Sequence, residues 1–191
     1  MKKHLFPFLI LALFLSSSAM AQKSNDAWVK QIRKSYAEAL QKIEAGQQDA
    51  NLNNKAVIVI NQNFPGSGPS EFTVEYFFDT EDSEQFVGEQ ERQLYFMRVK
   101  ERWAETPSVY EYLFNPENDE LMFYFAKTID PETGKTTERR DYFESSKAEP
   151  FLEIIDGKNY KTSVDDQWMF IKRFLMGYRE VFNNLPPYFE H

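Results

Sequence analysis

The first apolar segment of the chain is short and lies between basic and small residues. Two lysines precede an apolar stretch from Leu5 to Leu15, and small residues follow it as far as Ala21. The stretch is shorter than the roughly 20 residues that a helix needs to cross a bilayer. Its order of basic, apolar and small residues is typical of a secretory signal peptide. We therefore predict a signal peptide at residues 1–21, cleaved after Ala21, and a single domain at residues 22–191.

Two helices are predicted from apolar residues that recur at three- and four-residue steps. The first begins near Ser24-Asn25-Asp26, whose side chains can cap it, and ends near Gly46. Its apolar stripe consists of Trp28, Ile32, Tyr36, Leu40 and Ile43. The second helix begins near Ser163 and ends at Pro186-Pro187. Its apolar positions are Trp168, Ile171, Phe174, Leu175, Tyr178, Phe182 and Leu185.

The segment between the helices has the patterns of strands and turns. The continuous apolar run from Ala56 to Ile60 is rich in β-branched residues and predicts a buried strand over residues 55–64. Proline and glycine at 65–69 then form a turn. Alternating apolar and polar positions predict a strand over residues 71–79, and a further strand is expected over residues 93–103.

A double hairpin is predicted between Val109 and Glu144. Its turns are Asn115 to Asp119 and Asp130 to Lys135, which contain proline and residues that tolerate turn conformations. If the first turn is a four-residue loop, the opposed pairs are Phe114 with Leu121, Tyr112 with Phe123, Tyr110 with Phe125, and then Phe123 with Tyr142. The last strand is expected at residues 151–156, ended by Gly157.

These elements predict an α+β fold. Strands that are neighbours in sequence are expected to be neighbours in space, so about six antiparallel strands would form a meander. The N-terminal and C-terminal helices would flank this sheet as a single layer on one face.

The composition excludes most catalytic and cofactor chemistry. The chain has no cysteine, and its two histidines, His4 and His191, lie at its ends. A catalytic triad, a thiolate nucleophile or a histidine–cysteine metal site therefore has no donors. The seven glycines form no phosphate-binding or dinucleotide-binding motif. We predict no catalytic residue, no bound metal and no cofactor.

The charge indicates which partners are unsuitable. The formal net charge is −8, and signal cleavage would make it more negative by removing Lys2 and Lys3. Nucleic acids and anionic membranes both require clustered basic residues. Because no cysteine follows the apolar run, lipid attachment there is also excluded. The expected location is the periplasm or the exterior, without a membrane anchor.

Five residues are candidates for a binding site. On one face of the double hairpin, Glu111, Tyr124 and Asp141 are predicted to form a row across three strands. We expect this face to be solvated and its carboxylates to favour solubility over catalysis. Phe77 shares the predicted uncovered face with Tyr124, where a partner could bind. Trp103 is the candidate for an aromatic ligand pocket.

The basic residues on the strands are expected to form ion pairs. Arg98, Lys100 and Arg102 alternate along one strand and share one side of it, whereas the adjacent Arg139 and Arg140 point to opposite sides. Pairing with carboxylates on neighbouring strands is the expected arrangement for such residues. An anion-binding strip is an alternative without support from the sequence.

The double hairpin resembles a pattern in uncharacterised secreted or periplasmic bacterial proteins. The residues that carry the resemblance are the segments Tyr110 to Asn115, Glu120 to Phe125 and Glu138 to Phe143. Such proteins often place glycine in the first turn, where this chain has Asn118-Asp119. The resemblance implies an aromatic double hairpin and assigns no catalytic residue.

The functional hypothesis at this point is a non-enzymatic exported domain. It would act as a binding, accessory or inhibitory module through a sheet face or edge, and its partner would be another exported protein or a glycan. One alternative is a small-ligand-binding protein with an aromatic pocket between helix and sheet, near Trp103 or Trp168. A second alternative is a glycan hydrolase that uses only carboxylates.

Overall fold

The computed structural model describes residues 6–49, 54–64, 68–82, 90–103, 106–144, 149–160 and 166–186. These ranges contain two helices and eight strands. The elements are α1 (Phe6–Gln48), β1 (Asn54–Phe64), β2 (Gly68–Asp82), β3 (Gln90–Trp103), β4 (Thr106–Phe114), β5 (Leu121–Ile129), β6 (Thr136–Phe143), β7 (Pro150–Ile155), β8 (Lys158–Tyr160) and α2 (Asp166–Asn183).

The strands form one antiparallel sheet in the order β1 to β8. The prediction of an α+β fold with an antiparallel meander is therefore confirmed, but the sheet has eight strands, whereas about six were predicted. Seven of the eight correspond to strands that were predicted individually, and the one without a predicted counterpart is β8, which is joined to β7 by Asp156 and Gly157. Both residues have positive φ, of 49° and 77°, as a tight two-residue hairpin turn requires. Gly157 therefore reverses the chain into another strand.

The run of apolar residues in β1 lies at an edge of the sheet, so the prediction of a buried strand there is wrong. In the described part of the chain, β1 has a neighbouring strand, β2, on one side. Ala56 and Ile58 pack against the core, whereas Val57 and Val59 are exposed. An edge strand leaves one row of backbone N–H and C=O groups without a partner strand, and the side of β1 that carries Val57 and Val59 is exposed as well.

Helix α1 begins much earlier than predicted. Its first residue is Phe6, so the expected cap at residues 24–26 is wrong. The reason is that residues 8–23 contain no proline and many leucines and alanines, which favour a continuous helix. The predicted stripe is present, because Ile32 and Ile43 are buried. The helix runs through the boundary between two compact units, Met1–Ala37 and Glu38–His191. Neither helix, as far as its residues are described, is long and apolar enough to cross a membrane.

Helix α2 packs on the face of the sheet that we call the α2 face. Phe182 stacks on Tyr76 at 5.3 Å between ring centroids and makes an edge contact with Phe78 at 5.4 Å. The Tyr76 hydroxyl donates a hydrogen bond of 3.0 Å to the Tyr178 carbonyl. The sheet residues of the α2 face include Val74, Tyr76, Phe78, Met97, Val99, Tyr112, Phe114, Tyr124 and Ala126.

The end of α1 that belongs to the same unit as the sheet, residues 38–48, contacts the face opposite α2, so the predicted single layer of helices is wrong. Side chains of successive strand residues point to opposite faces. Phe78 contacts Phe182 of α2, whereas the next residue, Asp79, pairs with Lys42 of α1. The Lys42 ammonium also lies 4.3 Å from the centre of the Tyr95 ring. A sheet with apolar side chains on both faces is stable only when each face is buried against another element.

The turns of the double hairpin follow the predicted chemistry. Gly134 has φ of 66°, as expected for the second turn, and the Asp130 carboxylate accepts backbone hydrogen bonds from Glu132 and Thr133. In the first turn Asp119 has φ of 57°. Aspartate tolerates this conformation better than most residues, so the turn forms at this position without glycine. The turn at 65–67, the cap at Ser163 and the side chain of Trp168 lie outside the described residues.

Candidate functional site

An irregularity between β4 and β5 divides the predicted row of Glu111, Tyr124 and Asp141. Phe114 is opposite Leu121, as predicted, but the next pair is Leu113 with Phe123. Met122 is therefore an extra residue, and it shifts every later pair by one position. The predicted pairs Tyr112 with Phe123 and Tyr110 with Phe125 are wrong.

The shift places the predicted residues on two faces. Tyr112 is opposite Tyr124, and Glu111 is opposite Phe125. Tyr124 remains opposite Asp141, as predicted. Because opposed residues share a face, Tyr124 and Asp141 lie on the α2 face. Glu111 lies on the other face, so no site can contain all three side chains.

Asp141 is completely buried, with 0% of its surface exposed. The expectation that it lies on a solvated face is therefore wrong. Its carboxylate accepts hydrogen bonds from Arg139 Nε at 3.1 and 2.9 Å. Arg139 Nη2 also contacts the Glu153 carboxylate at 3.1 Å. One guanidinium thus neutralises carboxylates on two adjacent strands, β6 and β7, which is the arrangement that makes buried charge tolerable.

The buried position changes the titration of this cluster. Burial, opposed by Arg139 and reinforced by the negative charge of Glu153, raises the pKa of Asp141 to about 7. Burial also raises the pKa of the Tyr112 and Tyr124 hydroxyls well above the usual value. Burial and the nearby Glu101 carboxylate raise the pKa of Tyr110 to about 12. These tyrosines are uncharged structural groups at any physiological pH.

On the face opposite α2, charged side chains form a row across β2, β3 and β4. Glu75, Arg98 and Glu111 are directly opposed, and Arg98 Nε donates to Glu111 at 2.7 Å. Lys55 Nζ donates to Glu75 at 2.7 Å, and Lys100 Nζ lies 3.0 Å from the same carboxylate. Burial alone would raise the pKa of Glu75, but the hydrogen bonds from Lys55 and Lys100 hold it below the usual value.

The predicted ion pairing is therefore confirmed, whereas the proposed uncovered aromatic face is wrong. Arg98 and Lys100 contact carboxylates on neighbouring strands, and Arg102 contacts Glu71 at 3.1 Å. Phe77 is buried, with an edge contact to Phe96 at 6.0 Å. It lies on the face opposite Tyr124, since its neighbours Tyr76 and Phe78 contact α2. Trp103 ends β3, and its side chain lies outside the described residues.

Catalysis at the predicted carboxylates has no geometric basis in this arrangement. Asp141 and Glu111 are buried on opposite faces and are each bound to an arginine. A hydrolase would need two carboxylates that face the same accessible substrate. In the part of the chain that is described, no cluster of three or more metal-ligating side chains occurs.

A polar groove lies at the end of the β1–β2 hairpin. Its volume is about 740 Å³, and its lining consists of Asn61, Gln62, Asn63, Pro69, Ser70, Glu71 and Arg102. Carboxamides both donate and accept hydrogen bonds, so this lining suits a ligand with many hydroxyl groups. The sequence signal for it is the change within one strand from the apolar residues 56–60 to three consecutive carboxamides.

The two edges of the sheet differ in length and chemistry. Strand β1 has eleven residues, of which Val57 and Val59 are 49% and 55% exposed. Strand β8 has three residues, all exposed. A short edge strand is one way in which proteins limit unwanted pairing, whereas a long apolar edge invites it. The structure therefore provides one edge that is suited to accept a further strand.

Comparison of the chain with protein-family models, with curated proteins and with solved structures gives no match.

Proposed function

We propose that this protein is an exported, non-enzymatic accessory protein that binds an extended polypeptide segment along strand β1. The observation that supports the proposal is the exposure of Val57 and Val59 on an eleven-residue edge strand. A bound strand would complete the backbone hydrogen bonds of β1 and cover both valines. Addition of a strand to an open sheet edge is a common mode of peptide recognition.

The edge is a better contact surface than either face of the sheet. On the α2 face, Tyr76, Tyr112 and Phe114 are buried beneath or beside the helix. On the opposite face, the aromatic and aliphatic side chains at the centre of the sheet are also buried. They include Phe77, Phe96, Leu113, Phe123 and Tyr142. Because these side chains are buried, they offer a partner almost no accessible surface.

Export is part of the proposal and rests on the N-terminal sequence. The basic, apolar and small residues at 1–21 have the order of a signal peptide. The lack of cysteine is compatible with an oxidising compartment, because no thiol can form an incorrect disulfide. A bacterial periplasm is the simplest location for the cleaved protein.

Introducing charge into the edge should abolish capture of the partner. Immobilised wild-type protein is expected to retain a specific polypeptide from exported extract, whereas the variant V57K/V59K should retain at least about tenfold less. Charged side chains on an edge strand discourage strand addition. Retention is measured by quantitative mass spectrometry.

The control for this experiment is a lysine at another exposed valine, Val181 of α2. The variant V181K should capture the same polypeptide as the wild type. Equal capture by V57K/V59K and the wild type would show that the β1 edge is not the contact surface.

A second candidate function is the binding of a small polar ligand in the groove at the β1–β2 hairpin. The groove is lined by carboxamides and the Arg102–Glu71 pair, so it is polar, unlike the aromatic pocket between helix and sheet that the sequence suggested. A volume of about 740 Å³ lies within the range of known ligand sites. The hydrolase alternative has no comparable support.

Oligosaccharides are the probes for this second candidate. Maltotriose, cellotriose and chitotriose are titrated to about 10 mM, and at least one should shift the side-chain amide resonances of the groove, which corresponds to an affinity in the millimolar range. N61A should weaken that binding, whereas N118A, in the exposed β4–β5 turn, should not. If none of the three sugars shifts these resonances, the groove is not a site for them.

A further inference from the structure

The apolar run in β1 is suited to pair with a copy of itself. Its five residues, Ala56 to Ile60, are centred on Ile58. When two such strands run antiparallel about a two-fold axis through Ile58, Val57 lies opposite Val59 of the second copy and Ile58 lies opposite Ile58 of the second copy. Every residue of the run then meets an apolar residue. Apolar β-branched pairs across strands stabilise a sheet.

The alternation of faces supports the same register. A two-fold axis perpendicular to the sheet keeps each face on its own side, so opposed residues must come from the same face of the two copies. Pairing centred on Ile58 satisfies this condition. It brings the exposed Val57 and Val59 of both chains together on one face. Ala56 and Ile58, which pack against the core, lie on the other face in both copies.

The charges of β1 are compatible with this pairing. Lys55 is the single charged residue of the strand, and in the proposed register it lies opposite Asn61 of the second copy. No like charges are opposed. Lys55 is also held by the Glu75 carboxylate of its own chain at 2.7 Å. A lysine on an edge strand usually discourages pairing, but this lysine is already neutralised and lies outside the apolar run.

The geometry of the sheet limits the assembly to two chains. A two-fold contact uses the same surface on both copies and is closed once it forms. The edge at the other end of the sheet, β8, has only three residues. As far as the chain is described, two paired copies therefore expose two short β8 edges, and neither is an apolar edge of the kind that would extend the assembly into a fibre.

We infer that the segment bound by β1 is the β1 strand of a second copy, so that the protein is a two-fold dimer with one continuous sheet. This inference rests on the proposed function, because it names the partner of the same edge. It adds a register, centred on Ile58, and a fixed number of chains.

A charge exchange tests this register. The purified exported protein, at concentrations up to about 100 µM, should have the mass of two chains in sedimentation equilibrium. V57K/V59K and V57E/V59E should each have the mass of one chain, because the register brings four like charges together. An equimolar mixture of these two variants should regain the mass of two chains, since lysines then meet glutamates.

Controls separate pairing from folding. Val57 and Val59 are about half exposed, so both double variants should keep the circular dichroism spectrum and the cooperative unfolding of the wild type. V181K, which places a lysine at another exposed valine, should remain a dimer. A loss of the dimer in V181K would show that the double variants act through net charge and would overturn the inference.

Two other results would also overturn the inference. One is a wild-type mass of a single chain throughout the concentration range, and the other is a mixture of the two charged variants that remains monomeric. The proposed function has a separate test: a monomeric wild type that captures another exported polypeptide, and loses it in V57K/V59K, keeps the edge as a binding surface. If the wild type is monomeric and V57K/V59K captures the polypeptide as well as the wild type does, both the dimer and the proposed function of the β1 edge are wrong.

Discussion

Replacing Arg139 by methionine should lower the free energy of unfolding by about 3–5 kcal/mol at about pH 8, because it leaves buried carboxylates without their shared cation. Arg139 binds both oxygens of Asp141, whose exposed surface is 0%, and contacts Glu153 at 3.1 Å. Methionine keeps much of the side-chain volume but supplies no charge. Urea unfolding followed by circular dichroism measures the difference.

The loss in R139M should become smaller as the pH falls. Burial raises the pKa of Asp141 to about 7 in the folded protein, above the value of about 4 in an unfolded chain. Asp141 therefore contributes stability that is complete below about pH 4 and is lost as the pH rises through about 7. Without Arg139 the charged form is still less favourable, so its pKa rises further. The deficit of R139M should then be larger at about pH 8 than at about pH 5.

The next residue in the same strand provides the control. Arg140 points to the opposite face, where it pairs with Glu138 at 2.7 Å and lies 5.3 Å from the Phe125 ring centre. Both members of that ion pair are about one third exposed. R140M should therefore lower the free energy of unfolding by about 1 kcal/mol or less. Equal losses in R139M and R140M, or a loss in R139M that does not change with pH, would contradict the role given to the buried cluster.

Phe182 is the second position at which a large effect is expected. F182A should lower the free energy of unfolding by about 3–5 kcal/mol, because it removes a buried ring and leaves a cavity between α2 and the sheet. The ring contacts Tyr76 and Phe78 at centroid distances of 5.3 and 5.4 Å. The near-ultraviolet circular dichroism of these aromatic residues should also decrease. Both quantities are measured in the same denaturant titration.

Met176 gives a matched control on the same helix. Its side chain is 70% exposed, so M176A should change the free energy of unfolding by less than about 0.5 kcal/mol. The two substitutions differ mainly in the burial of the side chain that is removed. A similar change for F182A and M176A would mean that α2 does not pack on the sheet through Phe182.

The sequence predicted the kinds of elements better than their register. The turns at residues 115–119 and 130–135 carry local signals in proline, glycine and aspartate, and both are present. The extra residue Met122 carries no such signal. It lies between Leu121 and Phe123, and three consecutive apolar residues fit either face of a strand. One undetected irregularity was enough to move Glu111 to the face opposite Tyr124 and Asp141.

The candidate site was harder to predict because burial depends on residues that are distant in sequence. Asp141 follows two arginines and has the local pattern of a solvated strand. Arg139 also binds a second carboxylate, that of Glu153, which reaches the cluster only through the pairing of β6 and β7. The exposure of Val57 and Val59 has a similar cause. An apolar run predicts burial, but whether a strand lies at the centre or at the edge of a sheet is decided by the other strands.

The order of the strands also bears on how quickly the chain folds. Each described ladder joins strands that are neighbours in sequence, so the sheet can form through short loop closures, and such local contacts favour rapid folding. The docking of α2 is different, because the bond from Tyr76 to Tyr178 closes a separation of 102 residues. Until the C-terminal helix docks, the aromatic residues of the α2 face remain exposed. This interval is the period in which the chain is most exposed to aggregation, and the docking of α2 ends it.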